Sequence, residues 1–311
     1  MTESIGSPLL WAGFTGLILV LLALDLGVFH RKAHEVSFRE AAVWSVVWIG
    51  LALAFNAWVY RAHGSERGLE FLTGYLIEKA LSVDNVFIFL VIFTSFRVPA
   101  LYQHRVLFWG VVGALLMRAI FIFVGAAALK AFHWLLYVFG GLLLLTGIRL
   151  LLQRHAEEHP ERNPLFLAFK AVVPTTGDYH GDKFWVRVNG ERFATPLFMV
   201  LVLIEITDLI FAVDSIPAIF AITKDPFIVF TSNIFAILGL RALYFCISGF
   251  VAKLVYLKTG LAVVLIFVAL KMMVSEVYKI PIGVSLSVVA SILAVSVAAS
   301  LLRTAPPDST P

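Results

Sequence analysis

The chain has a single cysteine, Cys246, in 311 residues. That excludes an internal disulfide and any site built from several thiolates, so a metal bound here is held by oxygen. Charge is scarce as well. Asp, Glu, Lys and Arg make up 14% of the residues and hydrophobic residues 60%, a balance that rules out an ordinary soluble domain. Catalytic and nucleotide motifs are missing: there is no Gly-rich loop with a Walker-type lysine, no Gly-x-Ser-x-Gly elbow and no His-Glu-x-x-His helix. Neither an enzyme nor a pump with its own ATP site finds support, and no motif asks for a prosthetic group. The eight histidines stand at expected helix ends or in loops and form no ligand pair.

What fills the chain instead is apolar runs of membrane-spanning length. They lie near 8–29, 39–60, 71–96, 106–129, 132–152, 195–222, 226–251, 258–278 and 282–302. The expected architecture is an all-α polytopic membrane protein of about nine transmembrane helices, forming one integral membrane domain over the whole chain. The first run is not read as a signal peptide, because its amino flank carries Glu3 and no basic residue. With the amino terminus outside, the inner connections and tail hold fifteen Lys or Arg and the outer ones five. That bias sets the amino terminus outside and the carboxyl terminus in the cytoplasm. The formal charge of +4 then describes a face beside anionic lipid, with the bilayer as partner and no nucleic acid expected.

Two of the apolar runs carry versions of one acidic motif. Glu78-Lys79-Ala80-Leu81-Ser82-Val83-Asp84-Asn85 corresponds to Asp208-Leu209-Ile210-Phe211-Ala212-Val213-Asp214-Ser215 at a shift of 130 residues. Leu116-Met117-Arg118-Ala119-Ile120 likewise resembles Gly239-Leu240-Arg241-Ala242-Leu243. Each unit holds three spans, about 71–152 and 195–274. An odd number of crossings inverts the second copy, the arrangement of many secondary transporters with midplane sites.

A charge at the centre of the membrane costs roughly 3 kcal/mol on insertion scales, so repeated acids at that depth point to a use. Carboxylates with neutral oxygens beside them suit hard divalent cations. The candidate metal-binding residues are Asp84 and Asp214, with Glu78, Glu205, Asp208 and Asn85 assisting. Arg118, Arg241 and Lys79 are expected to form supporting ion pairs with part of the acidic set. The competing reading is that the acids only pair with these bases and Lys271. Pro217 is expected to kink or unwind its helix beside Asp214, freeing carbonyls for a cation. Asp25 is read as an interfacial ion pair with Arg31 and Lys32. Asn233, with Thr231 and Ser232, fits helix–helix hydrogen bonding as well as ion contact.

The connection 153–194 is polar and loop-like except at its end. Residues 183–195 alternate around Asn189-Gly190, the pattern of a small cytoplasmic β-hairpin. The tail 304–311, with three prolines, is expected to be disordered.

The acidic segment Glu78–Asn85, together with Glu205-Ile206-Thr207-Asp208-Leu209-Ile210-Phe211-Ala212-Val213-Asp214-Ser215-Ile216-Pro217-Ala218, closely resembles the TerC integral membrane protein family. Supporting stretches are Phe29-His30-Arg31-Lys32-Ala33-His34, Asn189-Gly190-Glu191-Arg192-Phe193-Ala194-Thr195-Pro196 and Thr231-Ser232-Asn233-Ile234-Phe235-Ala236. That family is named for tellurium resistance and contains Alx-type manganese exporters. The resemblance implies a bacterial inner-membrane protein that exports Mn²⁺, with the intramembrane acids as its metal site. A carboxylate that releases its metal away from water can take a proton instead, which makes H⁺ the candidate counter-ion. Two other readings stay open: export of another hard divalent ion such as Ca²⁺, and a membrane scaffold or assembly factor whose buried acids are structural.

Overall fold

The computed structural model describes residues 4–29, 36–132, 134–152, 163–188, 190–248, 254–275 and 277–302, setting aside the side chains of residues 25–29, 84, 214 and 247. Helix falls on every long apolar run: α1 (Pro8–Phe29), α2 (Phe38–His63), α3 (Ser65–Ser95), α4 (Ala100–Ala131) and α5 (Leu135–Leu152) precede the polar connection. After it come α7 (Pro196–Phe220), α8 (Pro226–Leu238), α9 (Leu240–Ile247), α10 (Leu257–Val274) and α11 (Ile282–Leu302). Among the described residues seven helical segments are long and apolar enough to cross a membrane, counting α8 and α9 as one. The side chain of Asp25 and the tail 303–311 lie outside the described residues.

The helix starts follow local chemistry. Thr195 and Asp225 each precede a proline and accept a backbone N–H of the first turn, from Phe198 and Phe227. A side-chain oxygen at the cap and proline at the first helical position satisfy the ends that backbone bonding leaves open.

The molecule is apolar outside and encloses a polar cluster within an otherwise apolar core. Val46, Leu116, Ile120, Val124, Leu145 and Val295 are each more than half exposed, whereas Thr73, Glu78, Asn85, Arg118, Asp208, Ser215 and Asn233 are buried. Hydrocarbon accepts the first set, and internal partners must satisfy the second. Helix α5 lies along α10, α3 along α8 and α4 along α7, while α3 also meets α7 and α4 meets α8. Exchanging α3 with α7, α4 with α8 and α9, and α5 with α10 carries the α3–α8 contact onto α4–α7 and α5–α7 onto α3–α10, and keeps α5–α10, α3–α7 and α4–α8 in place. Close approach of α5 to α10 depends on Gly147, where a Cβ would stand 2.8 Å from Ile266 and 3.0 Å from the Ala262 carbonyl. Helices α2 and α11 pack around this centre, and α1 joins it through the rings of Trp11 and Phe14 against Phe227.

Two local expectations are corrected. Helix α7 runs through Pro217 to Phe220 without unwinding beside Asp214. The proline falls in the last turn, where Ala218, Ile219 and Phe220 are fully packed and hold the backbone despite one missing N–H. The interruption in this unit sits instead at Gly239, between α8 and α9. The described part of the connection, from Asn163 on, also holds more regular structure than its polarity suggests. It contains a nine-residue helix, α6 (Pro164–Val172), capped by Asn163, whose Oδ1 accepts the Leu165 N–H at 2.9 Å.

The hairpin forms where alternation placed it. Strands β1 (Trp185–Val188) and β2 (Glu191–Ala194) pair antiparallel with Trp185 opposite Ala194 and Val188 opposite Glu191. Gly190 takes φ +88°, which a residue with a side chain rarely adopts.

Candidate functional site

Asp208 occupies the centre of α7, twelve residues from either end, or roughly 18 Å at the helical rise. Glu78 and Asn85 come from α3, Arg118 from α4, Ser215 from α7 and Asn233 from α8. All six side chains are buried, with Glu78 and Asn233 at 0% exposure and Arg118 at 1%.

Arg118 organises the cluster. Its Nη1 donates to Glu78 Oε1 in a short ion pair, to Ser215 Oγ at 2.9 Å and to Asn233 Oδ1 at 3.4 Å. Asn233 Nδ2 donates to Glu78 Oε2 at 3.0 Å, so both oxygens of Glu78 are engaged. Asp208 is held more loosely. Arg118 Nη2 and Asn85 Nδ2 each reach its Oδ1 at 3.4 Å, longer than the about 2.7–2.9 Å of a strong charge-assisted bond. Among the described residues, Asp208 Oδ2 and Asn85 Oδ1 are buried acceptors with no donor. Buried oxygens are rarely left so, and acceptors of this kind have the chemistry to contact a hard cation.

Two other expected residues lie beside this centre. Glu205 stands one turn before Asp208 on α7, and its carboxylate covers Gly113 of α4 at a spot that any Cβ there would fill. Lys79 turns away from the acids and donates to the Ala236 carbonyl at 3.3 Å, against the break at Gly239. Arg241 lies half-buried in the first turn of α9. The backbones of Asp84 and Asp214 are helical, each immediately before a cluster residue, Asn85 or Ser215, but their side chains lie outside the described set. Among the described residues no three His, Cys, Asp or Glu side chains are gathered as a ready metal cage. The structure therefore brings Glu78, Asp208, Asn85 and Arg118 together and leaves Lys79 apart.

The Integral membrane protein TerC family model matches residues 63–307. The chain belongs to the TerC family. It is similar to the Myxococcus xanthus "Uncharacterized membrane protein STKORF319", with 57% identity covering 96% of this chain and 94% of the relative. It is also similar to the Escherichia coli K12 "Putative membrane-bound redox modulator Alx", at 49% identity with 94% of each chain covered. A Rickettsia bellii "Uncharacterized membrane protein" shares 41% identity over 94% of this chain and 97% of its own. No solved structure matches.

This TerC chain is thus a multi-pass integral membrane protein, and it carries a second polar network that the acidic motif did not announce. Asp225 Oδ1 accepts the Ser4 hydroxyl at 2.7 Å and the Phe227 N–H at 2.9 Å, while Oδ2 accepts the Ile5 N–H at 2.8 Å. Arg67 reaches Glu70 at 2.8 Å and Asp225 at 4.0 Å, and Thr223 donates to Glu70 at 2.9 Å. The network ties the amino-terminal segment to the starts of α3 and α8. The pair Asp225-Pro226 was its one readable signal, as a helix cap. At the opposite end of α3 the Tyr179 hydroxyl donates to the Phe96 carbonyl at 2.8 Å, and near the start of α4 Arg105 pairs with Asp182. Burial holds the Tyr179 phenol above the ordinary tyrosine range. These contacts seat the α6–hairpin connection on the ends of α3 and α4.

Proposed function

We propose that this TerC-family chain is a secondary transporter that exports a divalent metal, Mn²⁺ in the first place, through the buried carboxylates. The observation that carries the reading is the pair of oxygens Asp208 Oδ2 and Asn85 Oδ1, without a donor among the described residues, on two facing helices at the level of the centre of α7. Hard oxygen ligands without a proton donor, next to an uncompensated carboxylate, suit Mn²⁺, Ca²⁺ or Mg²⁺ and disfavour an anion. Asp84 and Asp214 complete the proposed ligand set, with Glu205 on the cytoplasmic side of Asp208. The correspondence of the α3–α8 and α4–α7 contacts supports two inverted units; nine crossings, an outer amino terminus and an inner-membrane location belong to the same proposal, on the charge bias of the connections. Rocking of one unit against the other would carry the ion outward, with H⁺ as counter-ion. The relatives' name speaks of redox modulation; with one cysteine, an internal dithiol–disulfide couple is not the route to it.

A scaffold reading has one observation in its favour. Leu165, Leu167, Val172 and Trp185 are exposed on the connection between the units, a surface that a partner protein could cover. Metal flux into proteoliposomes separates the two. The transporter loses flux in Asp208→Asn and keeps it when the exposed residues of α6 are made polar. The scaffold shows no flux with either.

A further inference from the structure

Glu78 and Asp208 bring two negative charges to the cluster and Arg118 brings one positive charge. A guanidinium stays protonated in any protein environment, so among the described side chains the centre holds one uncompensated carboxylate. The contacts are unequal. Among the described residues Arg118 Nη1 is fastened to Glu78, Ser215 and Asn233, whereas Nη2 makes a single 3.4 Å approach to Asp208, and Nε has no acceptor. The guanidinium can leave Asp208 by a small rotation while Nη1 stays anchored. A divalent ion on Asp208 and a guanidinium on the same carboxylate would repel strongly in a low-dielectric interior, so they exclude each other.

We propose that Arg118 is a tethered substitute for the transported cation: it rests on Asp208 in the empty carrier and is displaced when a divalent ion binds Asp208 and Asn85. The inference depends on the transport reading and deepens it. Glu78, with both oxygens engaged by Arg118 and Asn233, anchors the arginine and is not a ligand. After the ion leaves, Arg118 settles back on Asp208, so that the centre carries one net negative charge instead of two, the charge that the counter-ion H⁺ would cover as the empty carrier reorients. Without the guanidinium the empty site holds bare buried acid and cannot return. A loaded site can still cycle.

The test uses the full chain, as wild type, Glu78→Gln, Arg118→Gln and the double variant. Mn²⁺ affinity is read by electron paramagnetic resonance in detergent, and net export and Mn²⁺/Mn²⁺ exchange are read in proteoliposomes. Arg118→Gln should bind Mn²⁺ at least about tenfold tighter, because no competing state remains to be displaced. It should keep exchange and lose net export. Glu78→Gln should bind more weakly, since the released guanidinium moves fully onto Asp208. The double variant should recover to the wild-type affinity or beyond, and it replaces a buried ion pair with two neutral amides, so it decides the question even if Arg118→Gln does not fold. Unchanged or weaker binding in Arg118→Gln, or a double variant as weak as Glu78→Gln, overturns the role of Arg118. Wild-type protein that binds and moves none of Mn²⁺, Ca²⁺, Mg²⁺ or Zn²⁺ overturns the transport reading itself.

Discussion

Replacing Asp225 with alanine removes one carboxylate on which three separate stretches of chain converge. The Phe227 N–H loses its helix cap, and the Ser4 hydroxyl and Ile5 N–H lose their acceptors. Cap removal alone costs about 1 kcal/mol. Each further bond to a charged acceptor contributes about 1 kcal/mol here, below the usual range for charged groups because Ser4 and Ile5 sit at the edge and can regain water. The 4.0 Å approach of Arg67 adds little, as expected for a long ion pair. The sum is about 2–3 kcal/mol for Asp225→Ala. Asparagine keeps an oxygen for the cap and for Ser4 and mismatches only Ile5, so Asp225→Asn should cost about 1 kcal/mol. The assay is unfolding of the detergent-solubilised protein together with amide hydrogen exchange at Ile5 and Phe227. Exchange should accelerate at both amides in the alanine variant and mainly at Ile5 in the asparagine variant. Equal losses in the two variants, or an alanine variant within about 0.5 kcal/mol of wild type, the ordinary range for inconsequential surface changes, would refute the reasoning.

Tyr179 gives a pH prediction. Its folded-state pKa is raised above the ordinary 10.0, so its contribution is fully present below pH 10 and is lost as pH climbs through the folded value. Alkaline unfolding followed by circular dichroism should show a loss of stability in wild type over that window, and Tyr179→Phe should show a smaller one. Gly147→Val should loosen the α5–α10 contact by about 1–3 kcal/mol, because the new atoms meet Ile266 and the Ala262 carbonyl; thermal unfolding in detergent reads the loss. Asn163→Ala should cost α6 about 1 kcal/mol of local stability, visible as faster hydrogen exchange at Leu165 with the membrane helices unchanged.

The apolar helices and the hairpin were legible because each rests on a repeating one-dimensional pattern. Spanning length marks the first, and alternation around Asn189-Gly190 marks the second. Helix α6 escaped because nine residues give little periodicity, although Asn163-Pro164 before Leu165 and Phe166 was a usable start signal. The helix break was assigned to the wrong residue for a physical reason. Pro217 looks disruptive in sequence, but in the last turn of α7 it forfeits only one bond, whereas Gly239 interrupts its helix with Lys79 packed against it. The acids and Arg118 could be named from the repeat. Which acid Arg118 grips firmly, and which oxygens it leaves bare, depends on the distances between α3, α4 and α7, and a sequence does not contain those.

Metal flux into proteoliposomes loaded with the purified chain, with Asp84→Asn/Asp214→Asn and Asp208→Asn beside wild type, is the most direct test of the central claim. The account predicts Mn²⁺ flux in wild type, ahead of Ca²⁺, Mg²⁺ and Zn²⁺, and its loss in both variants while they remain folded. Flux that survives in the variants, or its absence for every ion in folded wild-type protein, would contradict it.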